Sequence, residues 1–515
     1  MIYPDEVFDR VPAKVTGILA PIRGLNTQTP LAGLSQDYAI QLDNFICQPD
    51  AIITRQGAVN HVTGFTGNPK SLMAYSSGTQ DKMFAAASNG IFDVSAAGAV
   101  GASVAACTNG FGVSVNFATS AGQFLYFVNG VDTPKLFDGT TWVSVTGAST
   151  PALTGPTTTT LKSVETYRQR LYFLQNNFLG FYYLAADSVG GALTAFRIGS
   201  LCRRGGSVVA HGTWSIDGGS GPDDHYVLAT SNGEIVVFRG SDPAVVANWI
   251  YVGTYYVGKP IGVNSFAKFG ADLLYLCENG LIPMSSLPVS SSRDFTTSVT
   301  SRIQPTIAKA YEAYGSEMGW RVNVLPRLSL IIINIPQDSI TSIQLVYNTV
   351  SKGWSTFSAW NAADFIDFNN KTFFSQGQVV AQAFVGTSDF SRAITAICDT
   401  SYNRFSTQTQ LFPLAVRALH AASGPVFYTI GIAQDFSGNY AESTYGFTGI
   451  PAGRWDTGRW DLSAWGGEFS LRRDWVTLAA RSGIAISTRF KIVSNTASVI
   501  LLAVDYKLAT QGLIS

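Results

Sequence analysis

Acidic side chains crowd one short stretch of the 515-residue chain, where Asp217, Asp223, Asp224 and the adjacent His225 surround Ile216-Asp217-Gly218-Gly219-Ser220-Gly221-Pro222. Carboxylate and carbonyl oxygens on a glycine-rich loop are what Ca²⁺ coordination needs. Asp and Gly are equally the residues of plain turns, and the turn reading is the one expected, with no metal. The four histidines, His61, His211, His225 and His420, lack ligand spacing and read as packed or surface groups. Cys47, Cys107, Cys202, Cys277 and Cys398 are odd in number and scattered, which predicts buried reduced thiols. There is no Walker-type phosphate loop and no Gly-x-Ser-x-Gly elbow, so neither catalysis nor a cofactor is expected.

Ser215-Ile216-Asp217-Gly218-Gly219 resembles one Asp-box of sialidase-type propellers, but Pro222 stands where the aromatic belongs and no second copy occurs. A glycosidase would also need two carboxylates across one sugar bond. The densest basic pairs are Arg203-Arg204 and Arg472-Arg473. Solvated surface is the first reading of both, and contact with a partner or passing DNA the second. Arg454-Trp455-Asp456, Arg459-Trp460-Asp461 and Trp465 repeat an aromatic every five residues. Trp455, Trp460 and Trp465 are candidates for interface anchors or local packing.

The surface available to carry such residues is short of charge. Lys+Arg and Asp+Glu number 34 each, so the net charge is zero and charged residues make up 13% of the chain, against roughly 25% in ordinary soluble domains. A particle this large with so few charges is expected to bury much of its exterior against other chains. Zero net charge also argues against tight binding of nucleic acid, whose affinity comes from counterion release by basic side chains. The opening Met1-Ile2-Tyr3-Pro4-Asp5-Glu6 is acidic where a secretory signal would be basic, which predicts synthesis in the cytoplasm. The run Leu330-Ile331-Ile332-Ile333, broken by Asn334 and Pro336, is a buried strand and no membrane span.

Short apolar runs rich in Val, Ile, Tyr, Phe and Thr, bounded by Gly, Asn, Asp or Ser, fill the chain and predict an all-β fold. One helix is expected over Pro305–Tyr314, with Pro near its start and Gly315 as its stop. A strand followed by Asn-Gly or a near equivalent recurs at Asn89-Gly90, Asn129-Gly130, Asn176-Asn177, Asn232-Gly233 and Asn279-Gly280, as tight hairpins with positive φ at both turn residues would require. Successive turns are 40, 47, 56 and 47 residues apart. That is the period of a β-propeller, whose blades bury their faces against one another. A sixth copy at Gln376-Gly377 lies about two periods on, which predicts six or seven blades. Residues 1–65 read as an extended arm with first strands, 66–404 as the propeller with a possible insertion around 300–345, and 405–515 as a β-sandwich.

Three segments carry a family resemblance. They are Gly24-Leu25-Asn26 through Ala39-Ile40-Gln41-Leu42-Asp43-Asn44 to Thr54-Arg55-Gln56-Gly57, then Tyr347-Asn348 to Gly353-Trp354, and the Trp455, Trp460 and Trp465 cluster. In that order they resemble the tail nozzle or hub proteins, including packaged-DNA stabilisation proteins, of short-tailed bacteriophages. The resemblance implies a β-propeller with attached β-domains, six copies in a ring below the portal and adaptor, and a place in the virion tail. It also implies a structural role: the channel would hold double-stranded DNA, with only transient contact, until ejection. On that footing the 211–225 loop, with Trp214, Asp217, Asp223 and Asp224, and the 311–320 segment, with Tyr311 and Tyr314, are candidate gates. Arg203 and Arg204 are candidate DNA or partner contacts. A receptor- or glycan-binding propeller, in which exposed aromatics stack on sugars, is the alternative, and a hydrolase on the same fold the third reading.

Overall fold

The computed structural model describes residues 14–217, 222–287, 297–405, 410–447, 469–478 and 482–511. Two compact units emerge, one gathering Met1–Ala58, Val346–Phe357 and Phe384–Ser515, the other Val59–Leu345 and Ser358–Ala383. Both are built of strands, and the one α-helix among the described residues, α1, spans Gln304–Tyr314.

The larger unit is a succession of small antiparallel sheets. The first is Pro69–Ser76, Asp81–Ala87 and Gly90–Asp93; the second runs from Val113–Thr119 to Trp142–Ser144, the third from Leu161–Tyr167 to Thr194–Arg197 and the fourth from Val208–Asp217 to Trp249–Tyr256. The fifth begins at Phe266–Phe269, and two further groups of antiparallel strands, taken as the sixth and seventh, begin at Arg321–Leu325 and Asp364–Phe368 within one longer hydrogen-bonded sheet. Each first strand packs against the first strand of the next sheet, and Asp364–Phe368 returns to pack on Pro69–Ser76. This is a β-propeller-like all-β architecture. The stretch around 300–345, expected as a possible insertion, holds α1 and the strands Arg321–Leu325 and Leu330–Pro336 and the start of Ser342–Asn348, which belong to the sixth sheet.

Alternation explains why the recurring runs are apolar without a break. In the second strand of the fourth sheet, Tyr226 and Leu228 point into a core shared with the third sheet, and Val227 and Ala229 into one shared with the fifth. Leu171 and Phe173 divide from Tyr172 and Leu174 in the same way. A strand sandwiched between two sheets has no solvent face, so period-two polarity disappears.

All five Asn turns join the second strand of a sheet to its third, so each marks one sheet. Their geometry differs from the expected pair of positive φ angles. The left-handed residue is Gly90, Gly130, Asn177, Gly233 or Gly280, and none of the five leading asparagines has positive φ. The asparagine amide acts as a staple instead. Asn129 donates to the Asn109 carbonyl at 2.9 Å, Asn232 to that of Arg204 at 2.7 Å and Asn279 to that of Val257 at 2.7 Å, in each case the segment entering the same sheet.

The seventh sheet is completed from the other end of the unit. Ala58–Thr63 pairs with Val379–Ala383, so the strand preceding the first sheet closes the last. Val62 and Phe65 share a core with Leu72 and Met83 of the first sheet and Phe373 and Val380 of the seventh.

The smaller unit is a two-layer sandwich drawn from both chain ends, where a purely C-terminal one was expected. One sheet carries Lys14–Leu19, Phe45–Cys47, Ile52–Thr54, Gln410–Ala422, Ser470–Arg472 and Val499–Gln511; the other carries Ala39–Asp43, Arg392–Thr400, Val426–Gln434, Ala441–Phe447 and Ile486–Ser494. Ile18, Leu42, Phe45 and Ile52 lie in one core with Tyr428, Phe490 and Tyr506. Within its described residues, the expected arm therefore contributes strands to this sandwich, because their apolar faces cover the C-terminal strands. Val476 adds an isolated bridge to Val416 of the Gln410–Ala422 strand.

Candidate functional site

Where the first strands of the sheets begin, the larger unit holds a cavity of about 330 Å³. Six of the seven sheets supply its wall through residues at or just before their first strands: Lys70, Gly112, Lys162, Asn264, Arg321 and Ala363. The segment after α1, Gly315 to Trp320, completes it. Trp320 is held there by its indole N–H, which donates to the Tyr314 carbonyl at 2.8 Å.

The cationic groups of this cavity differ in how they are neutralised. Arg321 pairs with the buried Asp364 and donates to the Gly112 carbonyl at 3.0 Å. Asp364 also accepts the Leu72 N–H at 2.8 Å, so this pair ties the first, sixth and seventh sheets. Lys70 donates to the Ser339 carbonyl and lies 5.4 Å from the centre of the Phe111 ring. Lys162 has no ion pair among the described residues, and burial alone pulls its ammonium down to about 8 from the ordinary 10.5. Asn129 and Asn176 also line the cavity, but their amides are committed to the Asn109 and Gly130 carbonyls.

The structure places the residues singled out in the sequence as follows. The 211–225 segment is a hairpin rather than a swinging loop: Val208–Asp217 pairs in register with Pro222–Thr230, Trp214 opposite His225. The strands are paired up to Asp217 and Pro222, and residues 218–221 between them lie outside the described residues. Trp214 is buried in the core between the fourth and fifth sheets. Asp224 accepts the Ser215 hydroxyl at 2.6 Å and lies 3.6 Å from Arg168. Asp217 and Asp223 are strand residues whose side chains lie outside the described set. Among the described residues no group of three or more His, Cys, Asp or Glu is placed to hold a metal ion.

Tyr311 and Tyr314 sit on α1, and the 315–320 part of their segment reaches the cavity. Arg203 and Arg204 lie before the fourth sheet, where their backbone N–H groups donate to the two carboxylate oxygens of Glu234 at 3.0 Å each. The Arg204 guanidinium stacks 3.7 Å from the centre of the Tyr256 ring. Trp455, Trp460 and Trp465 lie outside the described residues.

Two features were missed in the sequence. Lys162 stands at the second position of the strand Leu161–Tyr167, which also carries Glu165, and a single cation in that run was the available signal. The other is apolar. Trp249–Tyr256 is the outermost strand of the fourth sheet and exposes Ile250, Tyr251, Val252 and Tyr256, and just before it Val246 is 90% exposed.

No family model matches the sequence, and no curated protein does. Among solved structures, YCF48 bound to D1 peptide aligns with a TM-score of 0.39 at 11% identity, over 67% of this chain and 98% of that one. The Cps50 (Swd1) β-propeller domain of Myceliophteria thermophila aligns at 0.39 and 9% identity, over 63% and 99%. A glycoside hydrolase family 43 arabinoxylan arabinofuranohydrolase from Bacillus subtilis aligns at 0.26 and 11% identity, over 89% and 96%.

Proposed function

We propose that the seven sheets are the blades of one propeller and that the chain is a structural, non-catalytic subunit of a short-tailed phage virion. In this reading about six copies associate laterally into a tail nozzle or hub. The ring continues the DNA channel below the adaptor, retains packaged DNA and opens for ejection.

The observation that carries the reading is the outer edge of the fourth sheet. An outermost strand presents unpaired backbone groups, and sheet proteins that stay monomeric blunt such edges with charge, Pro or bulges. This strand has one bulge, at Val252, which has no register partner in Glu234–Gly240, but it has no charge and no Pro, and Ile250, Tyr251 and Val252 are consecutive, apolar and exposed. On a chain with 13% charged residues, this edge is suited to burial against a neighbouring subunit. The sequence resemblance supplies the kind of assembly, and the absence of net basicity suits a bore through which phosphates slide.

The test is the assembly state of the full chain by light scattering and negative-stain electron microscopy, with antibody labelling of purified phage particles from the source culture. Closed rings, lost in the Val246→Asp, Ile250→Lys double variant, and label at the distal tail are expected. A monomer at all concentrations, together with virions free of the chain, would overturn the reading.

A receptor- or glycan-binding propeller is the second reading, and the cavity at the strand-start end of the blades is what favours it.

A further inference from the structure

Lys162 is a half-buried cation without an ion-pair partner among the described residues. The remaining charges of its cavity do not supply one: Arg321 is matched by Asp364, Lys70 adds a second positive charge, and the one carboxylate lining the wall, Glu317, is exposed and makes no ion pair among the described residues. Taking an ammonium out of water costs several kcal/mol unless an anion and hydrogen bonds replace the lost hydration. Asn264, on the approach to the fifth sheet, is the second uncommitted group, because its side-chain amide has no hydrogen-bond partner among the described residues. The other asparagines of the wall at 129 and 176 are spent on backbone carbonyls.

We propose that this cavity binds a small hydroxylated anion, a phosphate or carboxylate carried on a sugar or polyol. The Lys162 ammonium pairs with the anionic group, and the Asn264 amide bonds the hydroxyls beside it. The volume, about 330 Å³, lies at the small end of ligand sites. It is too small for a nucleic-acid duplex. Phe111, Met318 and Trp320 provide apolar wall against which the carbon face of a sugar packs. Glu317 accepts a hydroxyl at the edge and disfavours ligands of high negative charge. The depressed ammonium of Lys162 fits this picture, since a bound anion would return it towards its ordinary value. The proposal does not depend on ring assembly and stands whether or not the chain belongs to a virion.

The test is calorimetric titration of the full chain with glucose 6-phosphate, glucuronate and glucose. Glucose 6-phosphate, glucuronate or both bind, and glucose binds at least about tenfold more weakly. If only the phosphate binds, the natural ligand is phosphorylated; if only the carboxylate does, it is an acidic sugar. Lys162→Met weakens binding by about tenfold or more, Lys162→Arg retains most of it, and Asn264→Ala weakens it several-fold. Lys371→Met, at an exposed position of the seventh sheet, changes nothing. As a second readout, amine acylation followed by mass spectrometry finds Lys162 reactive in the free protein and protected by the binding ligand. Lys162→Met removes an uncompensated charge, so the variant folds. No binding of either anion at about 10 mM, or binding that Lys162→Met leaves unchanged, overturns the proposal.

Discussion

Arg55 and Asp389, 334 residues apart, meet inside the smaller unit in a two-pronged ion pair of 2.6 and 2.9 Å. The Arg55 side chain is fully buried, and its Nε donates to the Asn44 side-chain carbonyl at 2.8 Å. Asn44 in turn donates to the Thr395 carbonyl at 2.7 Å from a backbone with φ of +56°. Asn44 and Arg55 belong to the first of the segments that carry the family resemblance, and through Asp389 and Thr395 they join the N-terminal strands to the C-terminal ones.

Removing one member of this pair strands the other without solvent. Arg55→Met is expected to destabilise the smaller unit by about 3–5 kcal/mol, and Asp389→Asn by a similar or smaller amount. Replacing both with apolar residues in Arg55→Met, Asp389→Leu recovers part of the loss, because no buried charge then remains. Urea unfolding monitored by intrinsic fluorescence checks the order of the three variants.

Such a pair shows where local reading of the chain ends. The Asn turns were legible because each is complete within a few residues, and the helix because Pro305 and Gly315 bracket it. The runs around Tyr226 and Phe173 declared burial on both faces. Nothing near Ala58–Thr63 announces that its partner is Val379–Ala383, since strand pairing depends on which edge remains open after the other sheets have formed. For the same reason residues 1–65 read as an extended arm with first strands: alternation is visible there, but the sheets that need covering lie at the other end of the chain. The cavity was illegible because its wall is drawn in short pieces from six sheets far apart in sequence, and only their packing brings the pieces together. Lys162 alone could have been noticed.

The pH dependence of stability should carry the signature of Lys162. Its folded value is lowered to about 8 from 10.5, so between these limits the unfolded chain holds the proton and the folded chain does not. Stability contributed by this site therefore rises with pH through that window, and below it the full penalty of the half-buried charge applies. Lys162→Met should be more stable than the parent at neutral pH by about 1–3 kcal/mol, and the gap should close towards pH 10.5. Thermal unfolding of the two proteins over this range is the measurement.

Two buried histidines predict the opposite limb. His211 bridges the third and fourth sheets, with Ser163 on Nε2 at 2.9 Å and the Tyr226 hydroxyl on Nδ1 at 2.7 Å, and burial holds it down to about 3. His420, in the smaller unit, is lowered to about 4, again chiefly by burial. Both must stay neutral in the fold while the unfolded chain takes up protons below 6.5. Stability is thus lost as pH falls from 6.5, by up to about 1.4 kcal/mol per pH unit for each histidine. His211→Gln, which keeps a donor and an acceptor, should flatten the acid slope of the larger unit and leave that of the smaller one. Denaturant midpoints at several pH values decide this.

The last prediction concerns closure of the ring of sheets. A succession of blades has two ends, and each end exposes a sheet face and a strand edge unless the two are joined. Ala58–Thr63 joins them by adding a strand from before the first sheet to the last, and Val62, buried at 2%, sits where the cores of both meet. A carboxylate there has no partner, so Val62→Asp should cost roughly 3 kcal/mol or more. The loss should also be localised. Hydrogen exchange should quicken first in Ala58–Thr63 and Val379–Ala383, while the fourth sheet, distant from the seam, keeps its protection. Val62→Ala, which shrinks the side chain without adding charge, should loosen the same two strands to a smaller degree, about 1–2 kcal/mol. Uniform quickening across all seven sheets would mean that the blades unfold as one unit and that the closing strand is no weaker than the rest. Quickening confined to the seam means that the ring opens there, and that a protease given the Val62→Asp variant will cut between the closing strand and the first blade.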